Sequence, residues 1–242
     1  MSMNMIKLSR HIALLPLLFV VSPSYAFNPG DLLIQGGGFI GNSGESQHIN
    51  IEGLIGNQYT LDEQSTSNGF VGLGYLFHTY KSQKLTFDVG LNAFYFFQTN
   101  VKGDIIQEDM FENLSYEYGI TSLPVYVAGK AGFAIVPHQI AFTLDGGLGV
   151  NFLTTREYQE TPLDGITIPD DMFTGETTST FTAMAGLGFK FLNVGRSPVG
   201  LEIGYHFFYL GEGQLNPKSD QVLDNLYTGS TFANALIFTI SI

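Results

Sequence analysis

Two sets of ionisable residues in the chain point to different chemistry. The first is sparse. Asp31, Asp88, Asp145 and Glu202 stand in otherwise apolar or small-residue segments, with Lys130, Lys190 and His78 in similar surroundings. Charges in such settings are costly unless paired and hydrogen-bonded, so acid and base on neighbouring strands are expected to meet. Such a layer can act as an ion gate or a proton path, or as a plug that fixes register and closes a lumen. Should the chain close into a narrow barrel, the plug is the simpler reading, because such a barrel is filled by its own side chains. The second set is dense. It comprises Glu45, Glu52, Asp62 and Glu63; Asp104, Glu108, Asp109 and Glu112; Glu157, Glu160, Asp164, Asp170, Asp171 and Glu176; and Glu212, Asp220 and Asp224. Lys102, Arg156 and Lys218 are its basic neighbours. These clusters could bind a divalent cation or a ligand at a surface, but their spacing fits no calcium loop, and solvated loop tips account for them equally.

Catalytic patterns find little support. His48, His78, His138 and His206 show no metal-ligand spacing of the His-Glu-x-x-His kind, and no Gly-x-Ser-x-Gly elbow occurs. Gly72-Leu73-Gly74, Gly147-Leu148-Gly149 and Gly186-Leu187-Gly188 lack the third glycine of a dinucleotide fingerprint; small inward residues that make room for large neighbours explain them better. With Cys 0, disulfides and thiol chemistry are excluded. The chain is therefore read as a non-enzyme without a cofactor. Its net charge is −12, which makes nucleic acid an unsuitable partner.

The elements that must position these residues follow from the pattern. Lys7 and Arg10 precede an apolar run from Ile12 to Val21, and Ser24 and Ala26 close a small-residue cleavage site. Residues 1–26 are thus expected to be a secretory signal peptide, cut between Ala26 and Phe27. Its removal takes away Lys7 and Arg10 and no acid, leaving −14. No later run is long and apolar enough for a membrane helix, so a membrane could be crossed only by a closed barrel, in which every backbone group finds a partner.

Eight segments alternate with period two: Asp31–Gly41, Phe70–Thr79, Leu85–Gln98, Thr121–Ile135, Ile140–Leu153, Thr178–Leu192, Val199–Leu210 and Thr231–Ile242. The third is the clearest, with Leu85, Phe87, Val89, Leu91, Ala93, Tyr95 and Phe97 on one face and Thr86, Asp88, Gly90 and Asn92 on the other. Connections Tyr80–Lys84, Val136–Gln139 and Asn193–Pro198 are short; the others are long and polar. That asymmetry predicts an eight-stranded antiparallel up-and-down transmembrane β-barrel over residues 27–242, with short turns in the periplasm and four long acidic loops outside. Aromatics gather at both ends of the apolar face, as two interfacial girdles do. Pro124, inside the fourth segment, cannot donate to a ladder and predicts a bulge or a late strand start.

The leader ending at Ala26, the eight alternating strands and the closing Leu236-Ile-Phe-Thr-Ile-Ser-Ile242 together resemble the small outer-membrane barrels of the OmpA transmembrane-domain, OmpX and opacity-protein type. In the closing strand Leu236, Phe238, Ile240 and Ile242 share one face, similar to the signal read by the barrel assembly machinery; Ile242 stands where the family carries Phe. The peptidoglycan-binding domain of longer relatives is expected to be absent. The resemblance implies the outer membrane as location, and outer-membrane lipid, lipopolysaccharide and the assembly machinery as partners. Three functions fit. The leading one is a structural and surface-interaction role, with an extracellular ligand held by the loops. A narrow porin-like pore or a conduit for small hydrophobic molecules comes second, although Leu76, Phe94, Phe96, Tyr126, Met184 and Phe208 point inward. A lipid A-modifying enzyme is third, and no lipid-facing His-Ser pair supports it.

Overall fold

A computed structural model describes residues 30–62, 65–192 and 199–242. The leader with its junction at Ala26 and Phe27, and the third short turn, lie outside the described residues. The strands are β1 (Asp31–Asn42), β2 (Gln47–Ile49), β3 (Asn57–Tyr59), β4 (Ser65–Lys81), β5 (Leu85–Gln107), β6 (Phe111–Val136), β7 (Ile140–Pro162), β8 (Phe173–Gly175), β9 (Thr177–Phe191), β10 (Gly200–Pro217) and β11 (Leu226–Ser241). Eight of them form a ring of antiparallel pairs in the order β1-β4-β5-β6-β7-β9-β10-β11. The ring closes where β11 pairs back to β1, from Leu33↔Ser241 to Asn42↔Phe232. Closure satisfies the two edges that an open sheet would leave unpaired.

Alternation sets the two faces of this wall. Leu73, Leu91, Val127, Leu148 and Phe238 face outward and are more than half exposed, in a belt whose outward positions carry no charge. An uncharged apolar belt around a closed barrel is a lipid-facing surface. Two tight turns bound it at one end. Ser82 N donates to Leu85 O at 2.8 Å and Leu85 N to Ser82 Oγ at 3.0 Å. In the other turn Gln139 N donates to Val136 O at 3.0 Å.

The opposite end departs from the sequence expectation. Two of the four long loops are in large part strand. β5, β6 and β7 run for 23, 26 and 23 residues, where a membrane crossing takes about 9–11. The excess is more than ten residues on each strand, and ten alone, at about 3.3 Å each and tilted about 40°, stand about 25 Å clear of the bilayer. The β5–β6 hairpin turns only at Glu108 and Asp109, both with positive φ.

Continuing these strands past the lipid reverses the demands on each face, because the outside must now be polar. A set of bulges makes the switch. The ladder slips by one residue between Phe96 and Thr99 on β5, at Glu157 on β7, at Leu210 on β10 and at Gly229 on β11. Along β5, Phe94 and Phe96 are buried below the slip, and Val101 and Ile105 above it. The outward residues change from Leu91, Tyr95 and Phe97 to Asn100, Lys102 and Asp104. A bulge shifts the parity of every later residue. Pro124 sits beside this slip. β6 pairs β7 directly at Pro124↔Asn151, whereas its pairing with β5 breaks between Ala93↔Val125 and Phe96↔Ser122. The register is the same on both sides of that gap, so Pro124 leaves ladder pairs missing without a bulge of its own, and the late start is not found either, since β6 begins at Phe111.

Shorter strands complete the wall above the membrane. β3 pairs β5 (Tyr59↔Ile105) and β2 pairs β3 (His48↔Gln58). Segment 44–51 then meets the start of β11 and the residues just before it. Gly44 N donates to Thr228 O at 2.6 Å, the Gln47 amide exchanges two 2.9 Å bonds with the Tyr227 backbone, and Ile51 bridges Val222. On the other side β8 pairs β10 (Leu215↔Gly175), and Thr155 N donates to Glu176 O at 2.9 Å. This crown encloses its own core of Ile49, Tyr59, Ile105, Leu114, Tyr116, Tyr118, Tyr158, Phe173, Leu215 and Leu226.

Candidate functional site

The interior has three layers. At the turn end, four carboxylates recur at positions 31, 88, 145 and 202, an interval of 57 residues. They stand on β1, β5, β7 and β10, every second strand of the ring. Equal hairpin lengths return each to a similar depth. Lys130 on β6 is in register with Asp88 and Asp145 on its two neighbours. Its ammonium nevertheless lies 2.8 Å from Glu202 Oε2, three strands round the ring. Glu202 Oε1 accepts a second bond from Thr143 Oγ1 at 2.8 Å. Lys190 on β9 is opposite Glu202 in register, yet its Nζ donates to Asp31 Oδ2 at 2.9 Å, again three strands away.

These cross-lumen bonds correct the expectation that acid and base pair between neighbouring strands. In a narrow barrel inward side chains converge on the axis, and a four-carbon stem reaches the far wall. His78 keeps to its neighbours. Nδ1 lies 2.7 Å from Asp88 Oδ1 and Nε2 lies 3.2 Å from Asp31 Oδ1. Asp145 takes its partner from a residue left out of the sequence-derived layer. His206 Nε2 is 2.7 Å from Asp145 Oδ2, and the imidazole is almost wholly buried. The readable signal was parity, since His206 shares the inward face of β10 with Glu202. The space signal is Gly186, where any Cβ would collide with the His206 ring. Four carboxylates therefore face two ammonium groups and two imidazoles. Below them a vestibule of about 400 Å³ opens, walled on its inner side by Asp31, His78, Asp88, Lys130 and Lys190.

The middle layer is aromatic. Phe94 and Phe96 meet Phe208 edge-on at 5.2 and 5.1 Å, and Phe39 meets Phe96 at 5.0 Å. Tyr126 is fully buried, and its hydroxyl lies 2.8 Å from Thr182 Oγ1. Gly72 leaves the room for Phe94, as its Cβ would stand 2.5 Å from that ring.

The third layer is the crown, where the acids gather. Of 22 acids in the chain, four are luminal. The other 18 fall in segments 43–66, 99–120, 154–177 and 211–230, together with Lys102, Arg156 and Lys218. Glu160 faces inward and organises one segment. Its carboxylate accepts the Tyr158 hydroxyl at 2.6 Å and the backbone N–H groups of Asp170, Asp171 and Met172 at 3.1, 3.1 and 3.2 Å. Asp171 Oδ1 in turn accepts Glu160 N at 2.8 Å. Burial pushes the Tyr59, Tyr116, Tyr118 and Tyr158 hydroxyls well above the usual phenol range. Partial burial, then the neighbouring Asp62 and Glu112, raise Asp104. Asp164 is held low by the Thr167 and Ile166 N–H groups and the Thr167 hydroxyl.

The closing strand places Leu236, Phe238, Ile240 and Ile242 on its outer face, all exposed to the lipid side. A closed ring of eight antiparallel strands, an uncharged apolar belt, tight turns at one end and a tall polar crown at the other define an integral outer-membrane β-barrel. No protein-family model matches the chain, and no curated protein does. Solved structures do. Ail of Yersinia pestis, in complex with the heparin analogue sucrose octasulfate, is 13% identical over 89% of this chain and 100% of its own, with a TM-score of 0.38. OprG from Pseudomonas aeruginosa is 16% identical over 88% and 94%, at 0.44. The outer-membrane protease OmpT from Escherichia coli is 9% identical over 90% and 97%, at 0.46. The likeness is one of barrel fold and extends to no activity.

Proposed function

We propose that the chain is a non-catalytic surface-interaction protein of the outer membrane, in which the crown is the interacting part. The observation that carries this reading is the second closure of the wall above the membrane around a core of its own. A barrel that only conducted or only anchored would need no such structure. A rigid scaffold that holds loops in fixed positions suits recognition. The filled interior argues against the porin-like alternative: charge layer, aromatic layer and crown core succeed one another along the axis. His78 and His206 are both held by carboxylates inside the lumen, away from lipid, which argues against lipid A chemistry. The same proposal includes an export leader over residues 1–26, lipopolysaccharide around the apolar belt, and delivery of β11 to the assembly machinery by its outward apolar face.

The test is a trimmed variant in which 100–117 and 157–174 are replaced by short turns. Intact cells displaying either form are panned against soluble polypeptides and polysaccharides of both charge signs, and each purified form is placed in planar bilayers. Crown-dependent binding with no stepwise conductance in the full-length form supports the reading. Conductance through the full-length form, or surface binding indifferent to trimming, overturns it.

A further inference from the structure

We propose that the rim of the crown docks a cationic amphipathic polypeptide, one that presents basic residues beside an apolar stripe. This inference rests on the surface-interaction reading and names its partner class. The observation behind it is a group of large apolar residues at the top of the crown. Ile166 and Ile168 are 84% and 81% exposed, and Leu54, Ile55, Met110 and Phe111 are each more than half exposed. Lipid does not cover them. The outward residues between them and the belt are Asn100, Lys102 and Asp104 on β5 and Asn113, Ser115 and Glu117 on β6. Isolated apolar residues on a surface are ordinary; a contiguous group with a polar margin marks an interaction site.

Contiguity follows from the hydrogen bonds. Ile55 N donates to Glu108 Oε2 at 3.0 Å, which sets the first loop tip against the β5–β6 turn. Leu163 N donates to Asn113 O at 2.9 Å and Asn113 Nδ2 to Thr167 Oγ1 at 3.1 Å, which sets the third loop against the same hairpin. The tips are also fixed. Asp164 Oδ1 accepts the N–H groups of Ile166 and Thr167 at 2.9 and 2.8 Å, and Asp164 Oδ2 accepts the Thr167 hydroxyl at 2.7 Å. A turn locked in this way displays Ile166 and Ile168 without paying for their order at binding.

Charge selects the occupant. Glu108, Asp109 and Glu112 flank the hairpin tips, and Asp164 and Asp170 flank the isoleucines, within segments that carry 18 acids against three basic residues. Lys102, one of the three, is 3.1 Å from Glu117 Oε2. Complementarity of potential favours a cationic partner and repels an anionic one. It therefore disfavours a sulfated polysaccharide, an anionic bilayer and a second copy of this chain. A plain polycation would leave the apolar tips unused, and a neutral apolar partner would leave the acids unused. An amphipathic cation uses both.

The experiment uses the full-length protein in nanodiscs of zwitterionic lipid and three fluorescent helical peptides: Leu/Lys, Leu/Glu and Ser/Lys. Saturable binding of the Leu/Lys peptide alone, above that of empty discs, is expected. Ile166→Ser/Ile168→Ser and Met110→Ser/Phe111→Ser should each weaken it about tenfold or more, as loss of central apolar anchors does. Glu112→Gln/Asp170→Asn should weaken it and flatten its salt dependence. Native-like folding of each variant is checked by its electrophoretic shift on heating. Equal binding of Leu/Lys and Ser/Lys, binding no greater than to empty discs, or tip variants that bind like wild type would each overturn the proposal. If cells still show crown-dependent binding in the panning assay, such a result removes this partner class and leaves the surface-interaction reading standing.

Discussion

Lys130→Met takes the cation from a pair whose two side chains are nearly sealed from solvent, at 8% and 6% exposure and 2.8 Å apart. Methionine keeps most of the stem volume, so the loss is mainly electrostatic. Glu202 retains the Thr143 hydroxyl on Oε1, but Oε2 is left without its ammonium. Breaking a buried pair from one side costs about 3–5 kcal/mol. Asp88 and Asp145 stand beside position 130 on the adjoining strands, which adds repulsion and places the expectation in the upper half of that range. That is a large share of the roughly 5–15 kcal/mol that holds a typical domain together. Lys130→Met/Glu202→Gln removes the orphaned charge as well and should recover about 2 kcal/mol of the loss. The assay is urea unfolding in lipid vesicles, followed by tyrosine fluorescence, since the chain has no tryptophan, and by gel mobility. A single-variant cost below about 1 kcal/mol, the level of an exposed pair, would refute the reasoning. So would a double variant no more stable than the single one.

Three further outcomes follow from the same geometry. Leu91→Arg, on the lipid face, should cost about 2–4 kcal/mol, whereas Asn100→Arg, outward but above the β5 bulge, should stay within about 0.5 kcal/mol; similar costs for the two in vesicle unfolding would contradict the parity switch. Gly186→Ala should destabilise by about 1–3 kcal/mol because its Cβ meets the His206 ring, and adding His206→Ala should recover part of that, which a thermal melt of both variants can check. Spectrophotometric titration should show Tyr59, Tyr116, Tyr118 and Tyr158 un-ionised in the folded protein beyond the ordinary phenol value of about 10. Raised folded-state values mean that their contribution to stability is complete below the unfolded value and is lost as pH rises past it; a tyrosinate signal near that pH that includes these four in the folded form would be the contrary result.

By itself the sequence determined the wall. Period-two alternation in segments such as Leu85–Phe97 assigns one face to lipid and one to the lumen, because a strand has only two faces and a bilayer tolerates charge on neither outward position nor edge. It also determined which charges are luminal, as Asp88, Lys130 and Glu202 each share an inward parity with their strands. Partner choice was decided only by closure. Lys130 has two acids beside it in register and binds a third across the axis, a distance that exists only once β11 meets β1. His206 enters the layer for the same reason, through space left by a glycine on the next strand. The crown was hidden because four bulges reverse parity at the membrane edge. Beyond Phe97 the chain stops alternating in the register that precedes it, and a polar, acidic stretch with a shifted period reads as loop. Only the pairing of β5, β6 and β7 above the bilayer, and of β3 and β8 alongside them, turns those residues into a second closed wall with a core of tyrosine and leucine.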